Sequence, residues 1–235
     1  MIERLEWDSK LFKEKIGRLT KVPSERRLIS LLRQADKEGY AYLTCRLVAG
    51  KMSGMQLLEA HGFYTVDIGT VWERQTENMP EQGFVIKRAM GKDATALSSI
   101  SAGLFSDSRF YNDPFFTSAE AEKLYRKWIG NSLRDRACRT FLIEGCGFIT
   151  CKKQNNNGDI ALIGVVPEKQ GKGIGRSLVY HALSWFKRKK VDTLTVRTQT
   201  NNVRAMNFYL GLGFKVKYAD MTMGFILKDG KCGCV

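Results

Sequence analysis

The stretch VVPEKQGKGIGRSL, Val165 to Leu178, places Gly171, Gly173 and Gly175 at alternate positions just ahead of an amphipathic run. Leu178, Val179, Ala182, Leu183 and Phe186 then recur at three and four residue spacing, so the run reads as a helix whose basic last turn suits the negative end of its dipole. Glycines at such a turn let a ligand approach bare backbone. Successive amides aimed by a helix N-terminus make a nest for an anionic group such as a diphosphate. Two familiar phosphate loops do not fit: a Walker loop needs a glycine where Val166 stands and a hydroxyl residue where Gly173 stands, and GKGIGRS is out of step with GxGxxG. The spacing argues against a nucleoside triphosphatase and a Rossmann dehydrogenase.

Working outward, the apolar run FLIEGCGFITCKK, the turn QNNNGD and the apolar run IALIGVV precede the glycine turn. TLTVRT follows the helix as a strand, Asn201 and Asn202 start another helix, and GLGF stops it. The first half repeats this in weaker form. A helix SERRLISLLRQADKEG, capped by Ser24 and stopped by Gly39, leads into a strand AYLTCRL. Laying Leu43 to Phe63 on Leu194 to Phe214 without gaps matches Leu43, Thr44, Arg46, Met55, Gly62 and Phe63, and element order is shared. The reading is a degenerate half copy over 1–80 and a complete copy over 81–235, with ENMPEQG as the linker. In the second half Asp93 can cap one helix, and Thr117 with Glu120 forms a capping box before the next.

Composition sets outer bounds. The 235 residues are 43% apolar with a formal charge of +14, which suits a folded core and an anionic partner. The opening MIERLEWDSK carries charges throughout, and no stretch approaches the roughly 20 apolar residues of a membrane span, so a cytoplasmic protein is expected. Six cysteines lack a paired CxxC arrangement and read as free thiols, with Cys232 and Cys234 in a frayed tail and no metal site expected. Aromatic and basic residues are not interleaved on one strand, and KRKK at a helix end reads as a solvated turn, so a nucleic-acid partner is not expected.

The glycine turn, as V-x-P-x-x-[R/Q]-G-x-G-x-G followed by a helix, resembles motif A of the GCN5-related N-acetyltransferases, the GNAT family. NVRAMNFYLGLGF is similar to that family's N-x-x-A-x-x-x-Y-x-x-x-G-F, with Asn202, Ala205, Tyr209, Gly213 and Phe214 in register. The resemblance implies an α/β fold with a mixed sheet, the GNAT acyltransferase fold preceded by a partial GNAT-like domain, and acetyl-CoA as cosubstrate without a metal. It implies that Val165, Val166, Gln170, Gly171, Lys172, Gly173, Ile174, Gly175 and Arg176 bind the coenzyme, the glycine turn holding its pyrophosphate, and that Asn202 meets its pantetheine arm. Tyr209 would be the general acid for the departing thiolate, a role suited to a phenol that stays protonated at neutral pH. The residue equivalent to Tyr209 in the first copy is Leu58, so that half is expected to be structural.

A narrower resemblance rests on FSDSRF followed by LYRKWIGNSLRD. It points to acetyltransferases that acylate the 4-amino group of a dTDP-4-amino-4,6-dideoxyhexose for surface glycans such as enterobacterial common antigen. It implies direct attack by the amine, with the thioester carbonyl polarised by a backbone N–H near Val165. Arg109, Phe110 and Tyr111 are the candidate acceptor contacts, a guanidinium for a diphosphate and a ring for the base or sugar. Glu144 and Asp159 are the candidate proton relays, while His61 and His181 read as packing or surface residues. An aminoglycoside, an amino acid, a peptide or a protein amine remains open as acceptor, as does a non-catalytic acetyl-CoA-binding module. A homodimer is expected by family analogy alone.

Overall fold

The computed structural model describes residues 1–81 and 83–227, apart from the Gln154 side chain. Cys232 and Cys234 therefore lie outside the described residues. In chain order the elements are β1 (Ile2–Arg4), α1 (Glu6–Phe12), β2 (Ile16–Leu19), α2 (Glu25–Lys37), β3 (Tyr42–Val48), α3 (Met52–Ala60), β4 (Tyr64–Gln75) and β5 (Lys87–Arg88). There follow α4 (Ala94–Ser101), α5 (Arg109–Asn112), α6 (Ser118–Arg134), β6 (Cys138–Ile143), β7 (Gly147–Gln154), β8 (Asn157–Val165), α7 (Ile174–Arg188), β9 (Thr193–Gln199), α8 (Val203–Gly211) and β10 (Lys215–Ile226).

The chain packs as two compact units, each drawn from separate stretches. Unit 1 holds Met1–Thr70, Asp107–Ala121 and the chain from Tyr218; unit 2 holds Val71–Ser106 and Glu122–Lys217. In unit 1 the strand order is β1-β2-β3-β10-β4, with β2 parallel and β10 antiparallel to β3. The amphipathic α2 sets Leu28, Leu31 and Ala35 against Leu19, Leu43 and Met223, and Leu58 of α3 is fully buried in the same core. In unit 2 the order is β4-β9-β8-β7-β6-β5. The predicted stripe of α7, Leu178, Val179, Ala182, Leu183 and Phe186, is wholly buried there, each large side chain contributing roughly 1.5–3 kcal/mol.

The internal repeat is visible in the element bounds. Tyr42–Val48, Met52–Ala60 and Tyr64–Gln75 of the first half coincide with Thr193–Gln199, Val203–Gly211 and Lys215–Ile226 of the second at a constant shift of 151 residues. Gly62 and Gly213, equivalent at that shift, both end their helices at positive φ, 85° and 77°. The last strands are exchanged: β10 pairs with β3 of the first half, and β4 lies beside β9 of the second.

The apolar run FLIEGCGFITCKK is two strands, because Gly145 at φ 63° turns the chain between β6 and β7 and their pairing closes on Ile143 and Gly147. Two local expectations need correction. Ser24 stands at the N-cap of α2 without a side-chain capping bond. Asp93 stands before α4, but its carboxylate accepts from the Met90 amide (2.7 Å) rather than capping the helix. The Thr117 and Glu120 capping box is formed, with reciprocal bonds of 3.0 and 3.2 Å.

Candidate active site

Strand β8 decides the site. It pairs in parallel with β9 over only four positions, from Asn157↔Thr193 to Ile160↔Val196, and then runs on to Val165. Its register with β7 jumps from Ile160↔Cys151 to Leu162↔Thr150, which leaves Ala161 as the unmatched residue of a bulge. A bulge bends and twists its strand, and this one falls where β8 and β9 part. At the far end Val166 N–H donates to the Cys146 carbonyl (2.9 Å), which makes Gly147↔Val165 a non-hydrogen-bonded pair and turns the Val165 amide away from β7, toward the opening.

The glycine turn closes this end. Gln170 Nε2 donates to the Val165 carbonyl (2.8 Å), so its side chain braces the strand end. Gly171 and Gly173 have φ of 76° and 82°, a region where a side chain is strained, and a Cβ on Gly171 would meet nothing within 4 Å. Gly173 is the N-cap of the 15-residue α7, and Lys172 and Arg176 are exposed on either side of it. The first amides of α7 have no partner within the helix and carry its positive dipole end. The three glycines do different work, however. A Cβ on Gly175 would stand 3.2 Å from the Phe208 ring, so this glycine lets α8 pack on α7. Ile174 is likewise a core residue.

Asn202 is the N-cap of α8, its side-chain oxygen accepting from the Ala205 amide (2.9 Å). Tyr209 is buried, in edge contact with Phe208 and Phe214. Burial and the Asp159 carboxylate push its phenol above the ordinary value, so it stays protonated. Asp159 itself lies at the third of the four β8 and β9 pairs and accepts from Thr195 Oγ1 (3.1 Å); burial raises its carboxyl above the usual range, against that hydrogen bond and Lys152. Glu144 is different in kind: it is 83% exposed in the β6 and β7 turn and ion-paired to Lys87 (2.9 Å). His181 packs edge-on against Phe141, and His61 bonds the Leu57 carbonyl. Burial pushes the Cys45 and Cys138 thiols up to about 11.

This arrangement has a double signature: parallel strands that part at a bulge, and a turn of naked amides leading into a helix. Comparison with known proteins agrees, since residues 106–214 match the acetyltransferase (GNAT) family. The chain carries a GNAT acetyltransferase domain. A dTDP-fucosamine acetyltransferase of Escherichia coli is similar at 25% identity, over 92% of this chain and 94% of that protein. The spore coat polysaccharide biosynthesis protein SpsD of Bacillus subtilis is 27% identical over 52% of this chain; the chain spans 44% of SpsD's length. Among solved structures, a GCN5-related N-acetyltransferase from Sphaerobacter thermophilus shares the fold with TM-score 0.66 at 14% identity, over 97% of this chain and 77% of that one. A tandem GNAT protein from the clavulanic acid biosynthesis pathway gives TM-score 0.60 at 13% identity, over 90% and 75%. Acetyltransferases of the family matched by residues 106–214 use acetyl-CoA.

In unit 1, Arg109 opens α5 with its guanidinium over the Phe110 ring, 4.2 Å from the centroid. Phe110 is itself buried and touches Phe12 and Phe116, while Tyr111 is half-buried. Asp8 faces Arg109 and Arg18, yet burial outweighs both and raises its carboxyl. Asp113, also buried, accepts from Tyr42 (2.5 Å) and Tyr64 (2.8 Å) hydroxyls. Sequence reasoning missed Ser108, whose buried hydroxyl has no hydrogen-bond partner among the described residues. Its only signal was its place beside Arg109. No described helix is long and apolar enough to cross a membrane.

Proposed function

We propose that the chain transfers the acetyl group of acetyl-CoA to the 4-amino group of a dTDP-4-amino-4,6-dideoxyhexose in surface-glycan assembly. The observation that carries the donor half is the coincidence of the β8 and β9 parting with the glycine turn at its open end. Amides of Gly171 to Arg176, with Lys172 and Arg176, hold the diphosphate; the carboxamide NH2 of Asn202, whose oxygen is committed to its cap, is the end that faces pantetheine. The coenzyme supplies an activated thioester. The Val165 amide polarises its carbonyl, the neutral amine attacks, the C–S bond breaks as the C–N bond forms, and Tyr209 gives the sulfur its proton. Asp159, poised by burial nearer neutrality than an ordinary carboxyl, takes the amine's proton through water in preference to the exposed Glu144.

The acceptor half is supported by similarity to the E. coli fucosamine enzyme along nearly the whole chain, and by the Arg109 guanidinium over the Phe110 ring, next in sequence to Ser108, whose buried hydroxyl has no partner among the described residues. Mycothiol acetyltransferases are also similar, one at 37% identity, but over only 57 residues and 19% of that protein. The half copy over 1–80 is proposed as scaffold, because Leu58 fills the place of Tyr209. The test is thiol release from acetyl-CoA with a panel of amines. Turnover confined to the nucleotide amino sugar supports the reading; turnover with aminoglycoside, amino acid or peptide amines alone overturns its acceptor half.

A further inference from the structure

Residues 76–86 do more than link the halves. Thr76 bonds the Val191 carbonyl beyond the C-terminus of α7 through its hydroxyl, the Met79 amide donates to Ser184 Oγ (2.9 Å), and Glu81 acts electrostatically on His181. Then Phe84 arrives at the N-cap, its ring edge 4.0 Å from where a Gly173 Cβ would stand. The described residues on either side of Gln82, 76–81 and 83–86, thus meet α7 near its C-terminal and its N-terminal end, within unit 2. Met79 and Ile86 enter the core, but Phe84 is left 38% exposed. An aromatic ring held half in water beside a turn built for a diphosphate has the chemistry to take a flat heteroaromatic face.

We propose that Phe84 is the platform on which the adenine ring of the coenzyme lies. This rests on the reading that the glycine turn holds the coenzyme's diphosphate, because the base is then one ribose away from Gly173. A Cβ at Gly173 would stand in ordinary van der Waals contact with the phenyl edge, so the ring lies directly beside the turn without crowding it. Stacking of a base on an aromatic side chain is worth about 1–3 kcal/mol by alanine substitution and is lost when either ring is removed.

The experiment titrates wild type, Phe84→Ala and Phe84→Trp by calorimetry with two donors, acetyl-CoA and S-acetyl-4′-phosphopantetheine, which lacks the adenosine. Phe84→Ala should weaken acetyl-CoA binding about tenfold, leave the truncated donor's affinity unchanged and raise the KM for acetyl-CoA at constant kcat, with Phe84→Trp restoring the affinity. Equal losses for both donors would assign Phe84 to the shared arm or to the turn, and no loss would make the ring a bystander; either overturns the platform. Failure of folded wild type to bind either donor would overturn the reading of the glycine turn itself, and is seen before any substitution is made.

Discussion

The two copies of the repeat place the same elements at the same spacing, and only one has the machinery. In the first, β2 pairs with β3 through all four of its residues, Ile16↔Tyr42 to Leu19↔Cys45, and stops. In the second, β8 makes the equivalent four pairs with β9 and then continues through the bulge at Ala161 to Val165 and the glycine turn. Leu58 is fully buried where its counterpart Tyr209 carries a hydroxyl. The comparison teaches that the repeated strand, helix and strand are a scaffold. In the proposed function, an extended strand end, a turn of bare amides and one phenol convert that scaffold into a donor site.

The comparison breaks if its two equivalent residues behave alike. Leu58→Ala should cost about 3 kcal/mol of stability in denaturant melts while leaving the activity of the folded fraction intact. Tyr209→Phe should do the reverse, cutting turnover about a hundredfold with acetyl-CoA affinity and melting temperature nearly unchanged. Within the turn, Gly173→Val, forced into positive φ, should weaken acetyl-CoA binding about thirtyfold in a calorimetric titration. Gly175→Ala presses on the Phe208 ring and should lower stability by about 1 kcal/mol with donor affinity kept.

The smallest effect concerns Asp159. Its carboxyl is raised in the fold, so ionisation there opposes folding above the raised value and costs nothing below the ordinary value of 3.8, where folded and unfolded chains are both protonated. Asp159→Asn should therefore raise the melting temperature at pH 7 and lose that gain near pH 3. Turnover of the variant should fall, and the acidic limb of the wild-type pH profile should disappear. An unchanged acidic limb would point to another proton acceptor.

Much of the fold was legible because its signals are local. The glycine spacing, the stripe of α7, the Thr117 capping box and the shift between the copies all stand in the sequence, and the element bounds repeat that shift. What was hidden depends on partners distant along the chain. Ala161 is an ordinary residue whose bulge exists only against β7, and the exchange of β4 and β10 is invisible because a strand's sequence does not say which neighbour it pairs with. The β6 and β7 hairpin was masked by apolar residues on both sides of its turn. That Gly175 also lets the Phe208 ring come close shows only in the packed chain. Ser108 gave no signal beyond its place beside Arg109, since an unpartnered hydroxyl is a property of the packed chain.

Stoichiometry of donor binding tests the contrast between the copies most directly. A calorimetric titration of the full chain with acetyl-CoA should saturate at one equivalent per chain, and Gly173→Val should weaken that single event. Two equivalents per chain, or no heat at all, would contradict the assignment of the donor site to the β8, β9 and α7 half alone.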